Sequence, residues 1–250
     1  MRESVSGVEV VEGEVQAFAK LTLSLEVVGV RDDGYHLIDA EMVSIDLCDT
    51  LVFSAGVNDL PADNLVSLAL AAVGRDAHVS LVKRIPAGAG LGGGSADAAA
   101  VLRWAGCRNL SVAVAVGADV PFCVVGGRAR VRGIGEVVEP LPFVDKAFTL
   151  LTPPLHVSTP AVYAMWDRLG GERGLAGAAG GGGGLGAGVP RNDLVAAALA
   201  VAPDLARWRD RLGDATGQTP GLAGSGGTWF VEGEYEGDGL VVTRTVPPPG

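Results

Sequence analysis

The chain has 250 residues, of which 48% are apolar and 19% charged. That balance excludes whole-chain disorder and supports one or two globular domains. Nineteen Lys and Arg against 29 Asp and Glu leave a net charge of −10, and without a basic stripe a nucleic-acid binder is not expected.

Residues 15–28 alternate in polarity. Ala17, Ala19, Leu21, Leu23, Leu25 and Val27 share one face, and Phe18, Lys20, Thr22, Ser24 and Glu26 the other, so the spacing predicts a strand with one buried face. Arg31-Asp32-Asp33-Gly34 reads as a hairpin turn, with the return strand or strands in Ile38–Phe53. A short helix is expected over 64–74 and a strand over Val79–Ile85. A glycine-rich loop at 86–94 leads into a helix at about 95–105, for which Ser95 is the expected N-cap. Residues 111–116 are short and apolar, Gly117-Ala118-Asp119 reads as a turn before Pro121, and Arg128–Val138 alternates again.

A second unit is expected from residue 146. Thr149–Leu151 reads as a strand and Thr159–Leu169 as a helix; the glycine tract 170–188 reads as a loop. Helices follow at Asn192–Leu199 and Pro203–Leu212. A tight turn at Gly224–Gly227 precedes a strand at Thr228–Glu232, and VPPPG ends the chain as a tail.

The longest nearly apolar runs, around 65–73 and 194–202, fall short of the roughly 20 residues of a membrane span. The first residues carry no basic patch followed by an apolar stretch, so a cytoplasmic protein with no membrane partner is expected. Cys48, Cys107 and Cys123 are widely spaced with no CxxC, which argues against a disulfide framework or a structural zinc.

The segment PAGAGLGGGSADAA at 86–99 is the most informative stretch. Glycines between a strand and a helix let the backbone approach a phosphate and turn several N–H groups toward it, and the helix start adds a partial positive charge. An acidic protein can hold a polyphosphate this way. The loop has no lysine where a Walker A motif requires one; Gly88, Gly90 and Gly93 fit GxGxxG, but a loop this dense in glycine matches many patterns. A flexible connection is the plain alternative.

Phosphate binding becomes group transfer when a cation and a carboxylate stand near the acceptor hydroxyl. Lys20 is on the polar face of the first strand, with Thr22 roughly 6–7 Å along the same face. Asp119 sits in GADVPF. Read singly, Lys20 is a solvent-facing strand lysine and Asp119 a turn residue.

Together these segments resemble the GHMP kinase superfamily. AFAKLTLSL at 17–25 is similar to its first motif, IPAGAGLGGGSADAAAVL at 85–102 to its ATP-phosphate loop and GLAGSGGTWF at 221–230 to its third motif; GADVPF at 117–122 also fits. DGYHLID at 33–39, the SADAA form of the loop, RNDL at 191–194 and VSTPAVY at 157–163 are similar to the branch whose acceptor is a cytidine-diphosphate-linked methylerythritol. The resemblance covers about residues 16–231.

It implies an α+β fold of two domains, 1–145 with the ATP-phosphate loop and a smaller 146–250, with the active-site cleft between them. It implies ATP and Mg2+ as cofactors and transfer of the γ-phosphoryl to a hydroxyl of that acceptor. Carried over by position, Lys20 and Asp119 form the catalytic pair. Pro86, Ala87, Gly88, Ala89, Gly90, Leu91, Gly92, Gly93, Gly94, Ser95 and Ala96 surround the ATP phosphates, and Asn64 lines the adenine pocket. Thr22, Tyr35, His36 and Tyr163 serve the acceptor, and no metal ligand is assigned among the protein residues. Asp97 is expected to cap, to face away, or to help hold Mg2+.

Three positions depart from the family pattern. Thr22 stands where Asn is usual, Ala96 replaces a frequent second serine, and Gly227 replaces a proline. Two other readings stay open: a GHMP kinase for another small alcohol, and a homologue that binds nucleotide without turnover.

Overall fold

The computed structural model describes residues 13–171 and 191–249. From residue 172 on, the tract read as a loop at 170–188 lies outside the described residues. Two antiparallel sheets carry helices between and around them, the α+β architecture that the sequence implies. The first sheet holds β1 (Gly13–Val30), β2 (His36–Ser54), β3 (His78–Val82), β4 (Arg128–Gly133) and β5 (Val137–Pro140). The second has the order β7 (Gly221–Leu222), β8 (Trp229–Glu232), β6 (Ala147–Leu151), β9 (Leu240–Arg244).

β2 organises the first sheet. It pairs with β1 along almost its whole length, and its other edge is shared: Ile38–Val43 pairs with β4 and Thr50–Ser54 with β3. The odd-numbered residues Ala17 to Val27 of β1 are all buried, as the alternation predicts. The opposite face departs from expectation, because Lys20, Thr22 and Ser24 are buried too. That face is covered by the glycine loop and by the chain near residue 224, so β1 has no solvent side at its centre. Register shifts at Phe18/Ala19 and Thr22/Ser24 flank Lys20. Bulges of this kind re-aim a side chain next to a site.

Among the described residues the helices include α1 (Leu65–Ala72), α2 (Gly93–Trp104), α3 (Leu110–Val116), α4 (Val120–Val125), α5 (Thr159–Arg168), α6 (Val195–Val201) and α7 (Leu205–Thr216). α2 lies against β1, α1 and α4. Its run from Ala96 to Leu102 is wholly buried, since alanine side chains allow close approach on every side. The expected cap is corrected here. Gly92, in the left-handed region at φ 69°, is the N-cap, so α2 starts at Gly93 and Ser95 lies inside its first turn. One element lies beyond the sequence reading, and one further expectation changes. Residues 120–125 form a helix, with Pro121 at its start where a missing N–H costs nothing. The ending read as a tail follows a strand, β9, and packs: Val246 N–H donates to the Ser44 carbonyl (3.0 Å), and Pro248 and Pro249 lie over Gly127 and Gly126.

Candidate active site

A cleft of about 1100 Å³ opens beside the first sheet, with β1 and β2 in its wall. β1, the glycine loop, the start of α2, the turn before α4, α5 and the 224–225 turn line it.

The glycine loop is stitched to its neighbours by its backbone. Lys20 N–H donates to the Leu91 carbonyl and Thr228 N–H to the Ala89 carbonyl, both at 3.0 Å. Gly90, at φ 77°, tolerates no side chain, because a Cβ there would stand 2.4 Å from the Ala223 carbonyl oxygen and 2.6 Å from that of Gly226. The third motif is thus pressed onto the loop. A Cβ on Gly92 would meet Lys20 Cγ at 2.7 Å. No side chain caps α2, so its first N–H groups remain for a ligand, the arrangement that binds anions. Pro86 to Gly90 and Gly92 to Ser95 line the cleft; Leu91 and Ala96 do not, being buried in the core at 1% exposure each.

Lys20 Nζ lies 3.4 Å from Asp119 Oδ2 and donates to Thr22 Oγ1 at 3.1 Å. Lys20 is buried, whereas the Asp119 side chain is 36% exposed toward the cleft. The lysine is therefore no solvent-facing strand residue. It is a buried cation with one charged partner and one hydroxyl partner. Thr22 sits behind it at 1% exposure and is absent from the cleft lining, so its hydroxyl serves Lys20. Burial of Cys123 one turn beyond Asp119 pushes its thiol up to about 12, which leaves it a neutral core residue.

A second charged group borders the loop. Lys83 pairs with Asp49 and, at 2.6 Å, with Asp97. Burial opposes the charge on Lys83, but hydrogen bonds and charge from the two carboxylates outweigh it and raise its pKa. Asp49 also accepts from the N–H groups of Arg84 (2.5 Å) and Ile85 (2.8 Å). Asp97 has no such backbone support, and its Oδ1 is buried without a partner. Burial accordingly pushes its pKa up to about 6 against the pull of Lys83. Asp97 neither caps α2 nor faces away; it lies under the loop on the cleft wall.

At the other end of the cleft, the Arg31–Gly34 turn presents Tyr35, 58% exposed at the rim. His36 begins β2, and α5 surrounds its ring. Tyr163 is 4.7 Å away between centroids, Trp166 meets it edge-on at 5.5 Å, and Asp167 Oδ1 lies 2.7 Å from Nε2. Burial and the Asp119 charge raise the Tyr163 phenol. Asn64 lines the cleft beside the loop, and its side chain caps α1 by accepting from Val66 N–H at 2.9 Å.

Three contributors escaped the sequence reading as site residues: Lys83, Asp49 and Asp167. A signal existed for Lys83, one of only three lysines in the chain. The RNDL segment has a structural role. Asn192 donates to the carbonyls of Leu222 (2.9 Å) and Gly224 (2.7 Å), holding the third motif, while Asp193 accepts from Val27 N–H on β1. His156 stands over Gly88 of the loop. Among the described residues no group of three or more His, Cys, Asp or Glu side chains converges in a way that could hold a metal.

The family "GHMP kinases N terminal domain" matches residues 62–127. A 4-diphosphocytidyl-2-C-methyl-D-erythritol kinase of Thermoanaerobacter pseudethanolicus is 40% identical over 181 residues, 62% of this chain and 63% of that protein, so the match spans less than two thirds of that relative. The protein of the same name from Paracoccus denitrificans is 38% identical over 240 residues, 85% of this chain and 84% of its own length. A solved 4-(cytidine 5'-diphospho)-2C-methyl-D-erythritol kinase superposes with a TM-score of 0.71 at 28% identity, covering 94% of this chain and 100% of that one.

Proposed function

The chain belongs to the 4-diphosphocytidyl-2-C-methyl-D-erythritol kinases, a family of GHMP small-molecule kinases, and from that membership we propose that it moves the γ-phosphoryl of ATP to a hydroxyl of the cytidine-diphosphate-linked methylerythritol. The observation that carries this reading is the Lys20–Asp119 pair at 3.4 Å, beside a glycine loop whose Gly92 is pressed against the Lys20 side chain. The cleft volume suits two ligands side by side.

The loop binds the phosphates through backbone N–H groups and the open start of α2. Asp119 orients the acceptor hydroxyl and takes its proton as the new bond forms. Lys20 keeps Asp119 ionised and faces the negative charge that develops on the transferring group. Thr22 fixes the ammonium of Lys20. Tyr35, His36 and Tyr163 receive the pyrimidine, the aromatic rings by stacking and His36 through a ring edge. Asp119 and Asp97 would hold Mg2+ beside the nucleotide phosphates, where it would neutralise their charge. The residues fit that role, because Mg2+ bound through phosphates needs at most one or two carboxylates and Asp119 and Asp97 both face the cleft.

ADP release with Mg-ATP, measured with and without the cytidine-linked acceptor, tests the proposal. Turnover should require the acceptor, and Asp119→Asn and Lys20→Ala should each reduce it on the order of 10³-fold. Asp119→Asn should still bind ATP. Full activity in Asp119→Asn, or turnover indifferent to the cytidine moiety, overturns the reading.

A further inference from the structure

We propose that Asp167 is a positioning residue that fixes the tautomer and orientation of His36, and so makes the acceptor pocket choose a pyrimidine with an exocyclic amino group over one with a carbonyl at that position. The inference deepens the kinase reading above and rests on it for the identity of the pocket.

Tyr163, Trp166 and Asp167 are three and four residues apart on α5, so one helix face presents all of them. They grip a single ring. Tyr163 tilts over it at 35°, Trp166 meets it at 84°, and Asp167 bonds its Nε2. A carboxylate has no proton to donate, so Nε2 carries the hydrogen of the 2.7 Å bond. In the neutral ring this leaves Nδ1 as the acceptor. An acceptor there matches the amino group of cytosine and opposes the carbonyl of uracil. With the hydrogen on Nδ1 the preference would reverse. The His36 side chain is 11% exposed and that of Asp167 45%, so the base-reading ring is held in the cleft wall while the group that orients it stands half in solvent. Asp167 thus acts through His36 and does not itself touch the reacting atoms.

The test uses the full chain as wild type, Asp167→Ala and Asp167→Asn. Nitrogen-15 imidazole spectra report the His36 tautomer, calorimetry gives the affinity ratio for cytidine diphosphate over uridine diphosphate, and steady-state kinetics separate KM from kcat. Wild type should show Nδ1 as an unprotonated nitrogen. Asp167→Ala should show a mixture of tautomers, lower the affinity ratio about tenfold and raise KM for the acceptor about tenfold, with kcat and KM for ATP moving much less. Asp167→Asn keeps an acceptor oxygen and should fall between the two. An unchanged tautomer and affinity ratio in both variants overturns the proposal. Failure of the kinase reading would show differently, as wild type that does not phosphorylate the methylerythritol acceptor, with the spectra and the affinity ratio still deciding the role of Asp167.

Discussion

Two buried aspartates near the phosphate loop show how side-chain surroundings sort identical residue types into different tasks. Asp49 shares Lys83 and also collects two backbone N–H groups, so its charge is well matched. Asp97 has the same lysine but one bare buried oxygen, and burial lifts its pKa to about 6 from 3.8. It holds its proton more tightly in the folded chain than in the unfolded one. Its contribution to stability is therefore full below the unfolded value and is lost as pH rises through about 6. At roughly 1.4 kcal/mol per pKa unit the loss is at most about 3 kcal/mol. Asp97→Asn removes the titration. Urea midpoints of wild type should consequently fall relative to Asp97→Asn between pH 4 and pH 7, and parallel curves for the two proteins would show that Asp97 binds protons equally in both states.

The glycine loop and the third motif form one structural unit at the scale of elements. Gly90 makes the point testable, because its Cβ space is filled by two carbonyl oxygens of the third motif and its φ is 77°. Gly90→Ala should cost at least about 3 kcal/mol in denaturant titrations and weaken ATP binding, since both backbone conformation and packing forbid it. Gly106 supplies the control. It has φ 71° but nothing within 4 Å of a Cβ, so Gly106→Ala should cost only about 1–2 kcal/mol and leave ATP binding unchanged. Equal losses at the two positions would mean that backbone conformation alone governs the loop. Element boundaries show where sequence reasoning stops short. Ser95 has the chemistry of an N-cap, yet Gly92 starts the helix because a left-handed residue lets the loop turn directly into α2. The helix at 120–125 was hidden because six residues are too few to display a period.

For the whole molecule, the cleft depends on how the two sheets are held together. The chain end contributes to this. Thr243 bonds Asp46, Thr245 bridges Ile45, and Val246 bonds Ser44, so β9 and the residues after it tie the second sheet to β2 of the first. Deleting residues 246–250 removes the Val246 bond and the prolines over Gly126 and Gly127. The deletion should lower the melting temperature by a few degrees, equivalent to about 1–2 kcal/mol, and raise KM for both substrates by loosening the cleft. An unchanged melting temperature would show that β9 alone carries the connection.

The sequence by itself determined the strand–loop–helix around residues 86–104 and, through the resemblance carried by its motifs, the family and its α+β class, because glycines between a strand and a helix and short motifs in a fixed order are written in local spacing. It also singled out Lys20, Asp119, His36 and Tyr163, all of which the fold brings to one cleft. Only the tertiary structure decided that Lys20 is buried, that Thr22 serves it from behind, that Asp97 shares Lys83 with Asp49, and that Asp167 grips His36 from 131 residues away. Burial and ion pairing arise from contacts between segments remote along the chain. Local pattern records the conformation of a segment and not which other segment will cover it.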